Sequence, residues 1–156
     1  MIVADTSAII EALLNTAAGA VVSGHLLKPG QTIHVPHLTD VEVVQVLRRY
    51  ARTGFMGAAR ARQALEDYSD MPLVRYPHAP LLPRMWQLRQ NASAYDAAYI
   101  ALAEALGATL VTCDRALGSI PGHRAAVLVC RAETGLLRAS KNPLRSVSFT
   151  PLRRPA

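Results

Sequence analysis

The sequence predicts an α/β fold, with a mostly parallel central sheet carrying helices on both faces. Short apolar runs of strand length alternate with longer segments whose apolar residues recur every three to four positions. Breakers such as Pro29-Gly30 and Gly107 stand between them. Composition agrees: 51% of residues are hydrophobic but only 5% aromatic, so the core must be built mainly from Ala, Leu and Val. At 156 residues the chain is one domain in size, large enough to bury a real core.

Ile2 to Ala4 reads as a short buried strand, followed by a helix from Ser7 to about Asn15 on Ile9, Ile10, Leu13 and Leu14. A second helix runs from Ala17 to Leu27 and stops at Pro29-Gly30. Thr32 to Val35 is a second strand, and Pro36 leads into a helix carrying Val43 and Leu47 that ends before Gly54. Another helix covers Ala58 to Tyr68, and Leu73 to Arg75 a third strand. Pro83 marks a helix start or a kink before Trp86. Trp86 is expected to anchor the core, because it shares a helical pattern with Leu82 and Leu88. Ser93 to Leu106 is an Ala-rich helix that Gly107 terminates, Thr109 to Thr112 a strand, and Val127 to Val129 a last short strand.

The formal charge of +6 is unevenly placed. Residues 131–156 hold six basic residues against Glu133 alone, so the body, residues 1–130, is nearly neutral. The tail is rich in Ser, Pro and Arg and reads as a basic extension, loosely ordered. Within the body, Arg48, Arg49, Arg52, Arg60 and Arg62 cluster and could attract phosphate, though a solvated helix face explains each equally well. Cys113 and Cys130 are too few for a disulfide framework or a zinc knuckle. Both are expected to be free, buried thiols in a reducing cytoplasm. No apolar run approaches a membrane-spanning length, and the first residues do not read as a signal peptide.

Four acids stand out: Asp5, Glu42, Asp96 and Asp114. Each lies at a predicted strand end or helix start inside an apolar stretch, where a carboxylate costs free energy unless a cation satisfies it. Helix capping explains the local sequences as well. Thr39-x-x-Glu42 and Ser93-x-x-Asp96 resemble capping boxes, one of Asp5, Thr6 and Ser7 could cap the first helix, and Asp114 could cap a turn before Ala116-Leu117. Asp40, two residues from Glu42, should face elsewhere on the helix. Taken together, the four acids point to a shared place. Sites in open parallel sheets form outside the carboxyl ends of the strands, where all four would lie. Crowded carboxylates repel one another, and one or two hard divalent cations relieve the repulsion.

At this point the sequence resembles a known family. Asp5-Thr6-Ser7, Asp40-Val41-Glu42, the run Tyr95-Asp96-Ala97-Ala98-Tyr99-Ile100-Ala101-Leu102-Ala103-Glu104 and Leu110-Val111-Thr112-Cys113-Asp114 resemble PIN-domain ribonucleases. The compact size is similar to the VapC toxins of bacterial toxin–antitoxin pairs. The likeness covers residues 1–130, leaving 131–156 as an extension.

The resemblance implies a PIN-like sheet and a cytoplasmic endoribonuclease dependent on Mg2+, or Mn2+. Asp5, Glu42, Asp96 and Asp114 would be both metal ligands and catalytic residues. By the same likeness Thr112 would orient a water or a carboxylate, and Thr6 and Ser7 would offer backbone or hydroxyl donors to phosphate. Arg115, which follows a predicted ligand, is a candidate for positioning phosphate. The partners implied are an RNA substrate, a small cognate antitoxin and a second copy in a homodimer, with no membrane. Two other readings stay open: a PIN-like module that binds RNA or protein without catalysis, and a phosphatase or phospho-acceptor domain. The latter is weakened because the first strand ends in one acid followed by Thr-Ser, and no suitably placed lysine follows the late strand, Lys28 and Lys141 being the only lysines. Tyr95 and Tyr99, four apart, are expected to pack on one helix face.

Overall fold

A computed structural model describes residues 1–131; the basic extension from 132 onward lies outside the described residues. Five strands, β1 (Ile2–Ala4), β2 (Ile33–Pro36), β3 (Leu73–Tyr76), β4 (Thr109–Thr112) and β5 (Val127–Val129), form one sheet in the order β3-β2-β1-β4-β5. Every pairing is parallel, with Ala4 beside Val111 and Thr112 beside Val129. The chain leaves β1 toward β2 and β3, then returns to β4 on the other side. The strand order therefore reverses between β1 and β4, the place where open parallel sheets form their sites at the carboxyl edge.

The helices are α1 (Thr6–Leu13), α2 (Ala17–Leu26), α3 (Leu38–Arg52), α4 (Ala58–Ser69), α5 (Leu82–Gln87), α6 (Ala94–Leu106) and α7 (Arg115–Gly118). Side chains alternate across the strands and build two cores. Ile2, Ala4, Ile33, Val35 and Val111 pack with Ile9, Val22, Leu26, Val43 and Leu47 from α1, α2 and α3. Val3 and Leu110 face the other way, onto Leu88, Ile100, Leu102 and Leu117. Residues Ala97 to Ala103 of α6 are all buried, and the small Ala side chains let this helix lie close against the sheet.

Local chemistry fixes the ends. Gly107 caps α6 with φ of 59°, a left-handed conformation that side chains disfavour. Gly19 lets α2 cross α1 closely, since a Cβ there would stand 2.0 Å from the Glu11 carbonyl oxygen. Pro83 falls in the first turn of α5, where its missing N–H costs nothing, so it starts the helix rather than kinking it.

Three expectations are corrected. Trp86 does not anchor the core: it is 69% exposed and Leu82 is 55% exposed, while Leu88 is buried. Helix α5 is only six residues long, ends before Leu88, and lays one side on α6, so Leu88 reaches the core from beyond the helix. Tyr95 and Tyr99 do not share an environment, since Tyr95 is exposed and Tyr99 is buried. Thr39 is not an N-cap. Helix α3 begins at Leu38, and the buried Thr39 hydroxyl turns to Tyr99 instead. Both cysteines are free; Cys130 is buried, but Cys113 only half so. Burial pushes the Cys113 thiol up to about 12. Among the described residues no single helix is long and apolar enough to cross a membrane.

Candidate active site

Asp5 directly follows β1, and its backbone N–H continues the ladder by donating to the Val111 carbonyl on β4 at 2.9 Å. It is the N-cap residue of α1, yet its carboxylate makes no capping hydrogen bond. The side chain turns toward β4 instead. Its Oδ2 accepts from Ser7 Oγ at 2.5 Å and from Thr112 Oγ1 at 2.8 Å. Those hydroxyls are themselves held: Ser7 Oγ accepts from the Cys113 N–H and Thr112 Oγ1 from the Asp114 N–H. Each spends its proton on Asp5, so neither offers one to phosphate. Thr112 holds the Asp5 carboxylate and ties it to the backbone of Asp114.

Glu42 lies on α3, which enters at the same sheet edge. Its Oε2 accepts from Thr6 Oγ1 at 2.7 Å and from the Tyr99 hydroxyl at 2.6 Å. The Tyr99 oxygen also stands 2.9 Å from Thr39 Oγ1. Donation from Thr39 to Tyr99 and on to Glu42 satisfies the phenol, and Thr6 Oγ1 stands 2.7 Å from the same oxygen, so Thr6, Tyr99 and Glu42 form one cluster. Burial and the Glu42 charge push the phenol far above its ordinary value, so it remains a donor. The hydroxyl of Thr6, like that of Ser7, is thus committed to a carboxylate rather than to a substrate phosphate.

Asp96 is the third residue of α6. Its N–H donates to Ser93 Oγ, so Ser93 caps the helix as expected, but the box is not reciprocal: Asp96 Oδ2 accepts the Ser93 hydroxyl proton at 2.7 Å rather than the Ser93 backbone N–H. Asp114 caps α7 by accepting from the Ala116 N–H at 2.8 Å. Arg115 is exposed beside it. Asp40 faces away, as expected, and binds Arg75 at 2.9 Å and Tyr68 at 2.5 Å.

A common feature links the four acids. Each commits one oxygen to the protein: Asp5 Oδ2, Glu42 Oε2, Asp96 Oδ2 and Asp114 Oδ1. The other oxygen of each accepts no hydrogen bond from the described residues, and none of the four pairs with a described Lys, Arg or His. Burial raises the Asp5 carboxyl above its ordinary value, and the neighbouring Glu42 charge raises it further. Capping and ligation are therefore compatible, and an all-oxygen anionic donor set of this kind suits a hard divalent ion. The set is not closed: among the described residues no three His, Cys, Asp or Glu side chains stand close enough together to grip one ion. Asp5 and Glu42 are coupled directly and Asp114 joins through Thr112, whereas Asp96 meets only its own cap.

The arginine cluster does not join them. Helix α3 starts at the carboxyl edge, so Arg48, Arg49 and Arg52 lie at its far end. Arg60 and Arg62 on α4 pair with Asp67 and Glu66, as a solvated face would.

Tyr99 and Thr39 were missed as site residues. A signal existed for Tyr99: it carries the lone side-chain polar group in the buried run Ala97–Ala103, and a buried hydroxyl needs a partner.

A parallel sheet of this order, with acids along its carboxyl edge, belongs to a recognised class. The PIN-domain family model matches residues 2–122, and the chain belongs to that family. It is 46% identical over 114 residues to Ribonuclease VapC9 of Mycobacterium tuberculosis, spanning 73% of this chain and 86% of that protein. It is 38% identical over 127 residues to Ribonuclease VapC12 of the same organism, spanning 81% and 97%. The fold matches the crystal structure of VapBC2 from Rickettsia felis bound to a promoter DNA fragment, with TM-score 0.62, 18% identity, and coverage of 84% and 100%.

Proposed function

We propose that the chain is a metal-dependent endoribonuclease toxin of the VapC kind, cleaving RNA phosphodiester bonds and held silent by a small cognate antitoxin. The observation that carries this reading is the set of four carboxylates at one sheet edge, each with one oxygen anchored and one free. The names of the relatives, both called ribonucleases, supply the substrate class.

Asp5, Glu42, Asp96 and Asp114 would hold Mg2+ or Mn2+. Such an ion neutralises charge on a phosphate undergoing displacement and lowers the pKa of bound water. The chain's own residues prepare the place. Ser7 and Thr112 fix the Asp5 carboxylate from one side, Thr6 and Tyr99 fix Glu42, and Ser93 fixes Asp96, so the free oxygens are presented at little further entropic cost. Arg115, exposed beside Asp114, would meet a substrate phosphate. A homodimer and a cytoplasmic location accompany this reading.

The test is RNA cleavage by purified protein with and without Mg2+, beside Asp96→Ala. Asp96 contributes only a cap, so the variant should fold, with its circular dichroism unchanged, and lose cleavage. Full activity in Asp96→Ala, or cleavage by the wild type that survives EDTA, would overturn the proposal.

A further inference from the structure

We propose that Trp86 and Arg89 form a stacking platform for an unpaired RNA base, seated beside the carboxylate edge; the ligand class rests on the ribonuclease reading above. The indole is 69% exposed, and Leu82 and Tyr95 near it in the chain are exposed as well. It is not loose. The Arg89 guanidinium lies over the ring, 4.8 Å from its centre, and Nη1 donates to the Trp86 carbonyl at 2.9 Å. Arg89 has no acid partner among the described residues. Leu82, Met85, Ala92 and Ala94 complete a shallow groove in which Arg89 is the one charged side chain.

Position decides what this groove serves. Its lining includes Ala94, the first residue of α6, and the next two residues in the chain are the exposed Tyr95 and the candidate ligand Asp96. An aromatic face backed by an unpaired cation, next to an acidic edge that handles phosphates, matches the chemistry of single-stranded RNA. Bases stack on the ring, while the guanidinium adds cation–π contact or meets the adjoining phosphate. A duplex keeps its bases stacked internally and offers the ring nothing. Trp86 and Arg89 would then be positioning residues, governing substrate capture rather than the chemical step.

Trp86 is the sole tryptophan of the chain, so its fluorescence reports on the platform alone. The full-length protein in EDTA is titrated with a mixed-sequence single-stranded RNA and with its duplex. Emission should be quenched by the single strand and little changed by the duplex. Trp86→Ala should raise KM about five- to a hundredfold, the range of base-stacking losses, with kcat held within twofold, and Trp86→Phe should recover most of it. Arg89→Ala should lower the salt slope of single-strand binding by about 0.7, one phosphate's worth.

Unchanged emission on single-strand binding, with unchanged KM in Trp86→Ala, overturns the platform even if cleavage proceeds. Quenching without any cleavage upholds the platform and sinks the nuclease reading instead. Emission that shifts on dilution without RNA, together with a smaller species on elution of Trp86→Ala, overturns the platform in favour of a second copy covering the groove.

Discussion

Replacing Tyr99 with Phe removes one oxygen and leaves the ring, which is 1% exposed, packed as before. That oxygen donates to Glu42 Oε2 at 2.6 Å and takes the Thr39 hydroxyl at 2.9 Å. A hydrogen bond to a charged group contributes about 1.5–3 kcal/mol, and an abandoned buried hydroxyl adds to the loss. Glu42 keeps Thr6 as a donor, so the net loss should be about 2 kcal/mol. In a chain of this size that lowers Tm by roughly 6 °C. The functional effect should exceed the structural one. With its orientation loosened, Glu42 should bind Mn2+ and support cleavage about 10- to 100-fold less well, the scale seen when outer partners of metal ligands are removed. Thermal denaturation, Mn2+ calorimetry and single-turnover cleavage of one RNA measure the three quantities. If Tyr99→Phe loses stability but keeps Mn2+ affinity and cleavage within twofold, the hydroxyl serves only the core and the positioning argument is refuted.

Asp5→Asn removes a buried charge that burial and Glu42 both disfavour, while its amide oxygen can still accept from Ser7 and Thr112. It should therefore stabilise the metal-free protein and abolish cleavage. A lower melting temperature in metal-free buffer would contradict this. His34 is held below its ordinary value by burial and by the positive N-terminus, and its ring bonds to Thr32 and Tyr76. Below pH 6.5 the unfolded chain takes up a proton that the folded chain refuses, so stability falls as pH drops through that value. The fall can reach about 1.4 kcal/mol per pH unit for one proton. Urea unfolding between pH 7.5 and 5 should show this slope, and His34→Gln should flatten it.

Much of the architecture was legible because it is encoded locally. Ile2–Ala4, Thr109–Thr112 and Val127–Val129 are apolar runs between polar or breaker residues, and they became strands with the bounds their sequence suggests. Gly107 ends α6 through a conformation that glycine adopts freely. The alternation of these elements with helices implied the parallel sheet, which proved to be wholly parallel.

What stayed hidden depends on groups distant in sequence. Thr39 looked like a cap because a capping box is a local pattern; its hydroxyl instead meets Tyr99, 60 residues away. The hydroxyls of Thr6 and Ser7 looked free until the fold brought Glu42 and Asp5 to them. Trp86 looked like core because helical spacing shows that residues share a face, not what covers that face. The acids themselves were visible. That one oxygen of each is anchored and the other left free could be read only from the assembled edge.

Anomalous diffraction at the manganese edge, on crystals of the full chain soaked in Mn2+, tests the central claim most directly. The account predicts a peak at the carboxyl edge between β1 and β4, within about 2.0–2.3 Å of Asp5 and at least one more of Glu42, Asp96 and Asp114, and no peak there in Asp5→Asn. Manganese bound only elsewhere, or an empty edge at saturating metal, would contradict it.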